Sequence, residues 1–175
     1  ILKLRQLSVT RSGVKVLEKV SFDITKGEFV GLVGPNGGGK TTLLLTILGV
    51  LKPSSGSLLV YGHKPASSQN LGKVAWVPQT GANLPSNIHL TVRELIRLGT
   101  INRSNFFFRT GKSGTGRVNK AIEMVGLEDI ADVDVSRLSG GQLQRAVIGR
   151  ALASESNFIV LDEPLVGVDR DAKNS

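Results

Sequence analysis

A glycine-rich segment has the residue types and spacing of a phosphate-binding loop. Residues 34–41 match the pattern G-x-x-x-x-G-K-[ST] and stand between a short apolar run and a helix-forming stretch, which is the context that the pattern requires. Backbone N–H groups of such a loop surround a phosphate, and the following helix N-terminus adds partial positive charge. Lys40 would neutralise the β- and γ-phosphates, and the Thr41 hydroxyl would bind Mg²⁺. The predicted nucleotide contacts are Gly34, Pro35, Asn36, Gly37, Gly38, Gly39, Lys40, Thr41 and Thr42. A glycine turn that only caps a helix is the alternative.

Two carboxylates follow an apolar run late in the sequence, where Asp162 and Glu163 come directly after residues 158–161. Ligands of open α/β sheets bind at the carboxyl ends of strands. We therefore predict that Asp162 binds Mg²⁺ through water and that Glu163 polarises the water that attacks the γ-phosphate. Without the upstream loop, an Asp-Glu pair here would be read as a solvated turn.

A second phosphate-binding helix start is predicted at Ser139, Gly140 and Gly141, with Gln142 as the next contact. The turn offers a hydroxyl and backbone N–H groups to an anion. One nucleotide does not need two such helix starts from the same chain. The economical arrangement is a head-to-tail homodimer in which each protomer lends this turn to its partner's nucleotide. An ordinary helix N-cap is the alternative.

The elements that must position these residues alternate between strands and helices. Apolar alternation on both sides of Ser12-Gly13 predicts short antiparallel strands. The apolar run 29–33 predicts a strand buried on both faces, and residues 41–51 predict a core helix. Further strands are expected at 57–60, 74–77 and 158–161. This order predicts an α/β core.

A helical insert is predicted between two of the core strands. Thr91 and Glu94 have the spacing of a capping box. The buried face of this helix is predicted to contain Val92, Leu95, Ile96 and Leu98. Residues 101–120 are basic, contain no carboxylate and carry three glycines, which predicts a mobile connector. Helices at 118–125 and 141–153 complete the insert.

The composition limits the class of protein. The chain has 175 residues, enough for one domain, and a net charge of 22 − 14 = +8, which favours anionic partners. No cysteine is present, which excludes disulfides, thiolate metal sites and a cysteine nucleophile. No apolar run in the sequence reaches the roughly 18–20 residues of a membrane span. Because the sequence begins at Ile1 and ends in a polar stretch, we expect it to be a fragment.

The motifs GPNGGGKTT, LSGGQLQR and IVLDEP, in this order, resemble the nucleotide-binding subunit of ATP-binding cassette transporters. The resemblance implies a P-loop (RecA-like) α/β core with an N-terminal antiparallel β-subdomain and an inserted helical subdomain, without the usual C-terminal part. We place core and β-subdomain at 1–84 and 155–175, and the helical subdomain with the signature helix at 85–154. The resemblance further implies MgATP hydrolysis by a dimer that drives paired membrane permease subunits.

Other residues acquire expected roles only through this resemblance. Gln79 matches the glutamine that touches Mg²⁺ and links the core to the helical insert, and a surface glutamine is the alternative. Asp169 matches an aspartate that communicates across the dimer, and a turn or cap residue is the alternative. Arg11 stands where the family places an aromatic ring on adenine; its guanidinium could stack there or remain a solvated charge. No histidine follows Asp162, so the family's switch histidine is lacking and we expect slow hydrolysis from this chain alone.

The finer resemblance is to subunits that serve importers of metal ions such as zinc or manganese, on LSGGQLQRAVIGRAL, LDEPLVGVD and LTVRELIRLG. It implies a peripheral protein at the cytoplasmic face of the membrane, working indirectly with a solute-binding protein. Importers of siderophores, haem or cobalamin are the alternative. His63 and His89 are expected to be solvated loop residues. The rivals are a non-transport ATPase of the same type that acts on nucleic acid or ribosomes, and a nucleotide-dependent regulatory module without turnover. We do not expect nucleic acid as a partner.

Overall fold

A computed structural model describes residues 1–79, 89–101 and 112–162, without the side chains of 112 and 113. The chain divides into two compact units, Ile1–Val74 and Ala75–Ser175. The predicted subdomain boundaries at 84/85 and 154/155 stay a prediction.

The first unit is built on a three-stranded antiparallel sheet. Its strands are β1 (Leu2–Arg11), β2 (Val14–Ile24) and β3 (Ser55–Val60), in the order β2-β1-β3. The β1–β2 hairpin closes through Ser12 and Gly13, which both have positive φ, as a type I′ turn requires. The predicted antiparallel strands are therefore confirmed.

An irregularity in β1 keeps its leucines on the buried face. Leu2 and Leu4 are fully buried, and so is Leu7, although an ideal strand would turn residue 7 outwards. The register shifts between Leu4 and Leu7, where Gln6 has a φ of 50° and its backbone N–H donates to the Ser21 hydroxyl at 2.8 Å. The extra residue of this bulge restores Leu7 to the core.

Helix α1 (Lys40–Ile47) contributes Leu43 and Ile47 to the core of the first unit. It ends in a Schellman motif at Gly49, whose φ is 78° and whose N–H donates to the Thr46 carbonyl. Only a residue that accepts positive φ fits this end, so the helix is four residues shorter at its C-terminus than predicted.

The predicted buried strand at residues 29–33 is wrong. The segment is not in a strand, and Phe29 and Val33 are 97% and 94% exposed. A doubly buried strand needs hydrogen-bonding neighbours and a cover on each face. Among the described residues, no strand pairs with this segment, and an apolar run does not reveal whether a partner strand is available.

The second unit contains helices α2 (Val92–Arg97), α3 (Lys112–Met124) and α4 (Gly140–Ala153), packed around a common apolar core. Strands β4 (Val74–Val77) and β5 (Phe158–Leu161), both predicted, pair with each other as a two-stranded sheet. Single 3₁₀ turns occupy Ser68–Asn70, Leu98–Thr100, Glu128–Ile130 and Val135–Arg137.

The predicted capping box at the start of α2 is confirmed. The Thr91 hydroxyl accepts from the Glu94 backbone N–H, and the Thr91 N–H donates to Glu94 Oε2 at 2.8 Å. The Thr91 backbone and hydroxyl bonds lower the pKa of the Glu94 carboxyl. A lowered folded-state pKa means that the ionised carboxylate stabilises the fold above its unfolded pKa of about 4.3.

We expect Glu94→Gln to keep the cap but to lose this pH dependence, since Gln also serves at this position of a capping box. Urea unfolding at pH 7 should show the wild type slightly more stable than the variant. That difference should disappear as the pH falls through the folded-state pKa of Glu94, where the wild-type carboxyl is protonated. A difference that stays constant between pH 7 and about pH 3 would contradict the assignment.

The predicted position of Leu98 on the buried face of this helix is wrong, since its side chain is 43% exposed. At 100° per residue, Leu98 lies about 110° from the middle of the stripe of Val92, Leu95 and Ile96, and Gly99 occupies the stripe instead. A Cβ at Gly99 would lie 1.9 Å from the Arg150 carbonyl oxygen of α4. The glycine therefore allows the close approach of α4 to this helix end.

The predicted mobile connector is wrong for residues 112–120, which are the first part of α3; residues 102–111 lie outside the described ranges. Val118, Ala121, Ile122 and Val125 are all buried at helical spacing. A glycine inside a helix costs about 1 kcal/mol relative to alanine. Packing of this stripe against α4 outweighs that cost at Gly114 and Gly116.

Candidate functional site

The predicted phosphate loop forms a turn that leads directly into α1. The Gly38 N–H donates to the Pro35 carbonyl at 3.0 Å, and Gly37 has a φ of 78°. Gly39 is the N-cap of α1 with a φ of 85°, and a Cβ there would lie 2.9 Å from Leu17 Cδ2. Glycine is thus needed at position 39 both for its backbone conformation and for close packing on β2.

Within this loop, the Lys40 ammonium folds back over the turn. Its Nζ donates to the carbonyl oxygens of Gly34 and Pro35, each at 2.9 Å. These two bonds hold the cation at the mouth of the glycine turn. They use two of the three N–H donors of an ammonium. Thr41 is exposed in the first turn of α1, and Thr42 is buried.

Arg11 lies exposed at the end of β1, beside the hairpin turn. It pairs with Val14 in the sheet register. Its predicted contact with adenine stays a prediction.

In the second unit, the structure places Gln79 and Asp162 at the ends of adjacent strands. The Asp162 N–H donates to the carbonyl of Val77, the last residue of β4, at 3.0 Å. Asp162 directly follows β5 and is only 4% exposed, whereas Gln79 is exposed two residues beyond β4. The carboxyl ends of the two strands therefore lie side by side, and two oxygen-bearing side chains follow them.

The Ser-Gly-Gly turn opens α4, as predicted. Ser139 is the N-cap: its hydroxyl accepts from the Gln142 N–H at 3.2 Å, and its own N–H donates to Gln142 Oε1 at 2.9 Å. This geometry is compatible with both interpretations of Ser139, the phosphate-binding helix start and the ordinary N-cap. A capped helix N-terminus also presents backbone N–H groups to an anion. The Gln142 side chain is engaged in the cap.

Glu163 and Asp169 lie outside the described residues. His63 is exposed, and His89 is exposed beside Asp134, with 3.2 Å between Nδ1 and Oδ2. Across residues 1–79, 89–101 and 112–162, no group of three or more His, Cys, Asp or Glu side chains could hold a metal ion. Within those same ranges, the helices are too short or too polar to cross a bilayer.

One contact beside the Ser-Gly-Gly turn was not predicted from the sequence. The guanidinium of Arg145, in α4, donates to the carbonyls of Val125 and Gly126, the two residues that follow α3. No short-range signal could have revealed it, because the partners stand about twenty positions apart in the sequence.

The sequence profile of the ABC transporter family matches residues 17–166. The zinc uptake system ATP-binding protein ZurA of Listeria innocua is 36% identical over 169 residues, which cover 97% of this chain and 66% of ZurA. The high-affinity zinc uptake system ATP-binding protein ZnuC of Bacillus subtilis is 36% identical over 173 residues, which cover 99% of this chain and 74% of ZnuC. The chain thus spans about two thirds of the length of the curated relatives it matches.

A solved structure agrees with the fold. The structure of cbiO1 from Clostridium perfringens, part of the ABC transporter complex cbiONQ, matches with a TM-score of 0.80 at 29% identity, covering 97% of this chain and 67% of that chain. The predicted class, an α/β P-loop core with an antiparallel β-subdomain and an inserted helical part, is confirmed. Because the sequence profile and the fold agree over most of its length, the chain belongs to the ABC transporter family.

Proposed function

We propose that this chain is the ATP-binding and hydrolysing part of an ABC transporter that imports a divalent metal ion. The observation that carries the proposal is the glycine turn over the N-terminus of α1, with the Lys40 ammonium held at its mouth by two loop carbonyls. Backbone N–H groups, a helix N-terminus and a fixed cation suit the charge of a triphosphate.

The residues predicted to hold Mg²⁺ fit such an ion by their chemistry. Thr41, Gln79 and Asp162 offer oxygen ligands, which Mg²⁺ prefers, and the burial of Asp162 at a strand end suits a carboxylate that binds an ion. When bound, Mg²⁺ neutralises charge on the β- and γ-phosphates. The fit of these donors supports the assignment.

Each candidate site residue then has a defined task in hydrolysis. The loop N–H groups and Lys40 bind and orient the triphosphate. Gln79 and Asp162 hold their oxygen atoms at the neighbouring strand ends, and Glu163 accepts the proton of the attacking water. Arg11 stacks its guanidinium plane on the adenine base.

The second phosphate contact comes from a second copy of the chain. Ser139, Gly140, Gly141 and Gln142 of one protomer complete the nucleotide site of its partner in a head-to-tail homodimer, and Asp169 communicates between the two sites. ATP thereby joins the protomers, and hydrolysis weakens the bridge and lets the dimer open.

The transported metal ion is the substrate of the whole assembly. Two relatives at 36% identity are named as zinc uptake ATP-binding proteins, which supports metal-ion import over import of iron-siderophores, haem or cobalamin. In this assignment the chain acts at the cytoplasmic face of the membrane, bound peripherally to permease subunits and served indirectly by a solute-binding protein.

Two measurements test the proposal. Titration calorimetry of the purified protein with MgATP should detect binding, and absence of any adenine nucleotide binding would reject the proposal. In cells, deletion of the protein should abolish high-affinity uptake of radioactive zinc or manganese and leave siderophore uptake unchanged. The reverse pattern would favour the alternative cargo.

A non-transport ATPase that acts on nucleic acid or ribosomes is the second candidate, favoured only by the net charge of +8. Binding to nucleic acid through phosphates falls steeply with salt. Salt-sensitive binding to RNA or DNA would support this candidate, and co-purification with a membrane permease would oppose it.

A further inference from the structure

The C-terminus of α3 is closed by a Schellman motif and by one residue from another helix. Gly126 has a φ of 61°, its N–H donates to the Glu123 carbonyl, and the Leu127 N–H donates to the Ile122 carbonyl. Leu127 and Ile122 are both buried, as the hydrophobic contact of this motif requires. These bonds leave the carbonyls of Val125 and Gly126 for other donors.

Arg145 supplies the donor for both carbonyls. Its Nη1 lies 3.2 Å from the Val125 oxygen and 3.0 Å from the Gly126 oxygen. The last carbonyls of a helix carry partial negative charge, so a guanidinium is well placed there. No carboxylate of the described residues forms a salt bridge with Arg145. Within the described part of the chain, the hydrogen bonds of this guanidinium go to the two carbonyls that follow α3.

The contact lies near the N-terminal part of α4, where Leu138 and Leu143 pack against the core of the unit but are only partly buried. Gly140 is exposed, and residues 141–143 are only half-buried. The apolar side chains of α4 become fully buried only from Ala146 and Val147 onwards. Arg145 stands between these two parts of the helix, and its bonds connect the half-buried first part of α4 to Val125 and Gly126, which follow α3.

We propose that Arg145 is a positioning residue for the Ser139 turn. By holding the end of α3, it fixes the direction of the first turn of α4 and so presents Ser139 and Gly140 to the nucleotide of the partner protomer. The inference rests on the proposed function, since the direction of this turn matters only if a second copy of the chain uses it. Arg145 itself does not touch the nucleotide.

Arg145→Met tests the proposal, because methionine retains a long apolar stem and removes the guanidinium. Sedimentation with Mg²⁺ and a non-hydrolysable ATP analogue should show a dimer about ten-fold weaker than that of the wild type, as expected for the loss of hydrogen bonds to a charged group. Binding of a fluorescent ATP analogue to the dilute protomer should stay within about two-fold of the wild type, because Lys40 and its loop belong to the other unit. Arg145→Lys, which keeps a cation, should restore part of the dimer affinity.

Arg97→Met is the matched control, since Arg97 is exposed on α2 and its side chain donates no hydrogen bond to any described residue. Its dimer affinity should equal that of the wild type. An Arg145→Met protein that dimerises as well as the wild type overturns the inference alone. Equal losses of protomer binding and dimerisation also overturn it, because they indicate general destabilisation. A wild type that binds nucleotide but never dimerises overturns the proposed head-to-tail dimer and this inference with it.

Discussion

Lys40→Ala is expected to weaken MgATP binding at least about 100-fold. Each hydrogen bond to a charged group is worth about 1.5–3 kcal/mol, and the ammonium is the cation of the phosphate loop, held there by the Gly34 and Pro35 carbonyls. Titration calorimetry of the variant against the wild type measures the loss. Folding stability should change little, because both carbonyls belong to exposed residues that water can reach.

Lys52→Ala is the matched control, since Lys52 is an exposed lysine of the same unit outside the loop. It should bind MgATP like the wild type, which separates the loop ammonium from the general effect of removing one positive charge. Undiminished MgATP binding by the Lys40 variant would remove the phosphate loop from the nucleotide site.

Glu163→Gln is expected to lower the rate of phosphate release by about 10²–10⁴-fold, which is the range of general-base catalysis. An amide has the shape of the carboxylate but cannot accept the proton of the attacking water. ATP affinity should be retained, because the phosphate loop is unchanged. With hydrolysis blocked, the closed dimer should accumulate in gel filtration with MgATP.

The control for Glu163 is Glu155→Gln, which neutralises a carboxylate that pairs with Arg117 at 3.5 Å and plays no part in the proposed chemistry. Its turnover should match the wild type. Turnover of the Glu163 variant at the wild-type rate would show that another group activates water, and a variant that stays monomeric in MgATP would argue against the sandwich dimer.

The features that were correctly predicted depend on residues close together in sequence. The predicted capping box at Thr91 requires a hydroxyl and a side chain three positions later, and the predicted helix start at Ser139 requires only the residues of one turn. The helix after the phosphate loop needs only Gly39 and the residues that follow. Local hydrogen bonds decide such features, so the order of the residues is enough to predict them.

The features that were missed depend on what the rest of the chain supplies. The apolar run 29–33 requires partner strands before it can become a buried strand, and its composition says nothing about them. The start of α3 requires α4 to cover its stripe, which outweighs two glycines. The Arg145 contact joins the second turn of α4 to the residues that follow α3, and these segments are adjacent only in the folded unit.

The N-cap at Ser139 has a consequence for any ligand of that turn. A hydroxyl has two lone pairs and one proton, and the bond from the Gln142 N–H occupies a lone pair only. The proton remains available to an incoming oxyanion, so fixing the helix start does not compete with holding a ligand. An aspartate at position 139 would separate the two tasks, since it caps a helix equally well but offers a ligand negative charge in place of a proton.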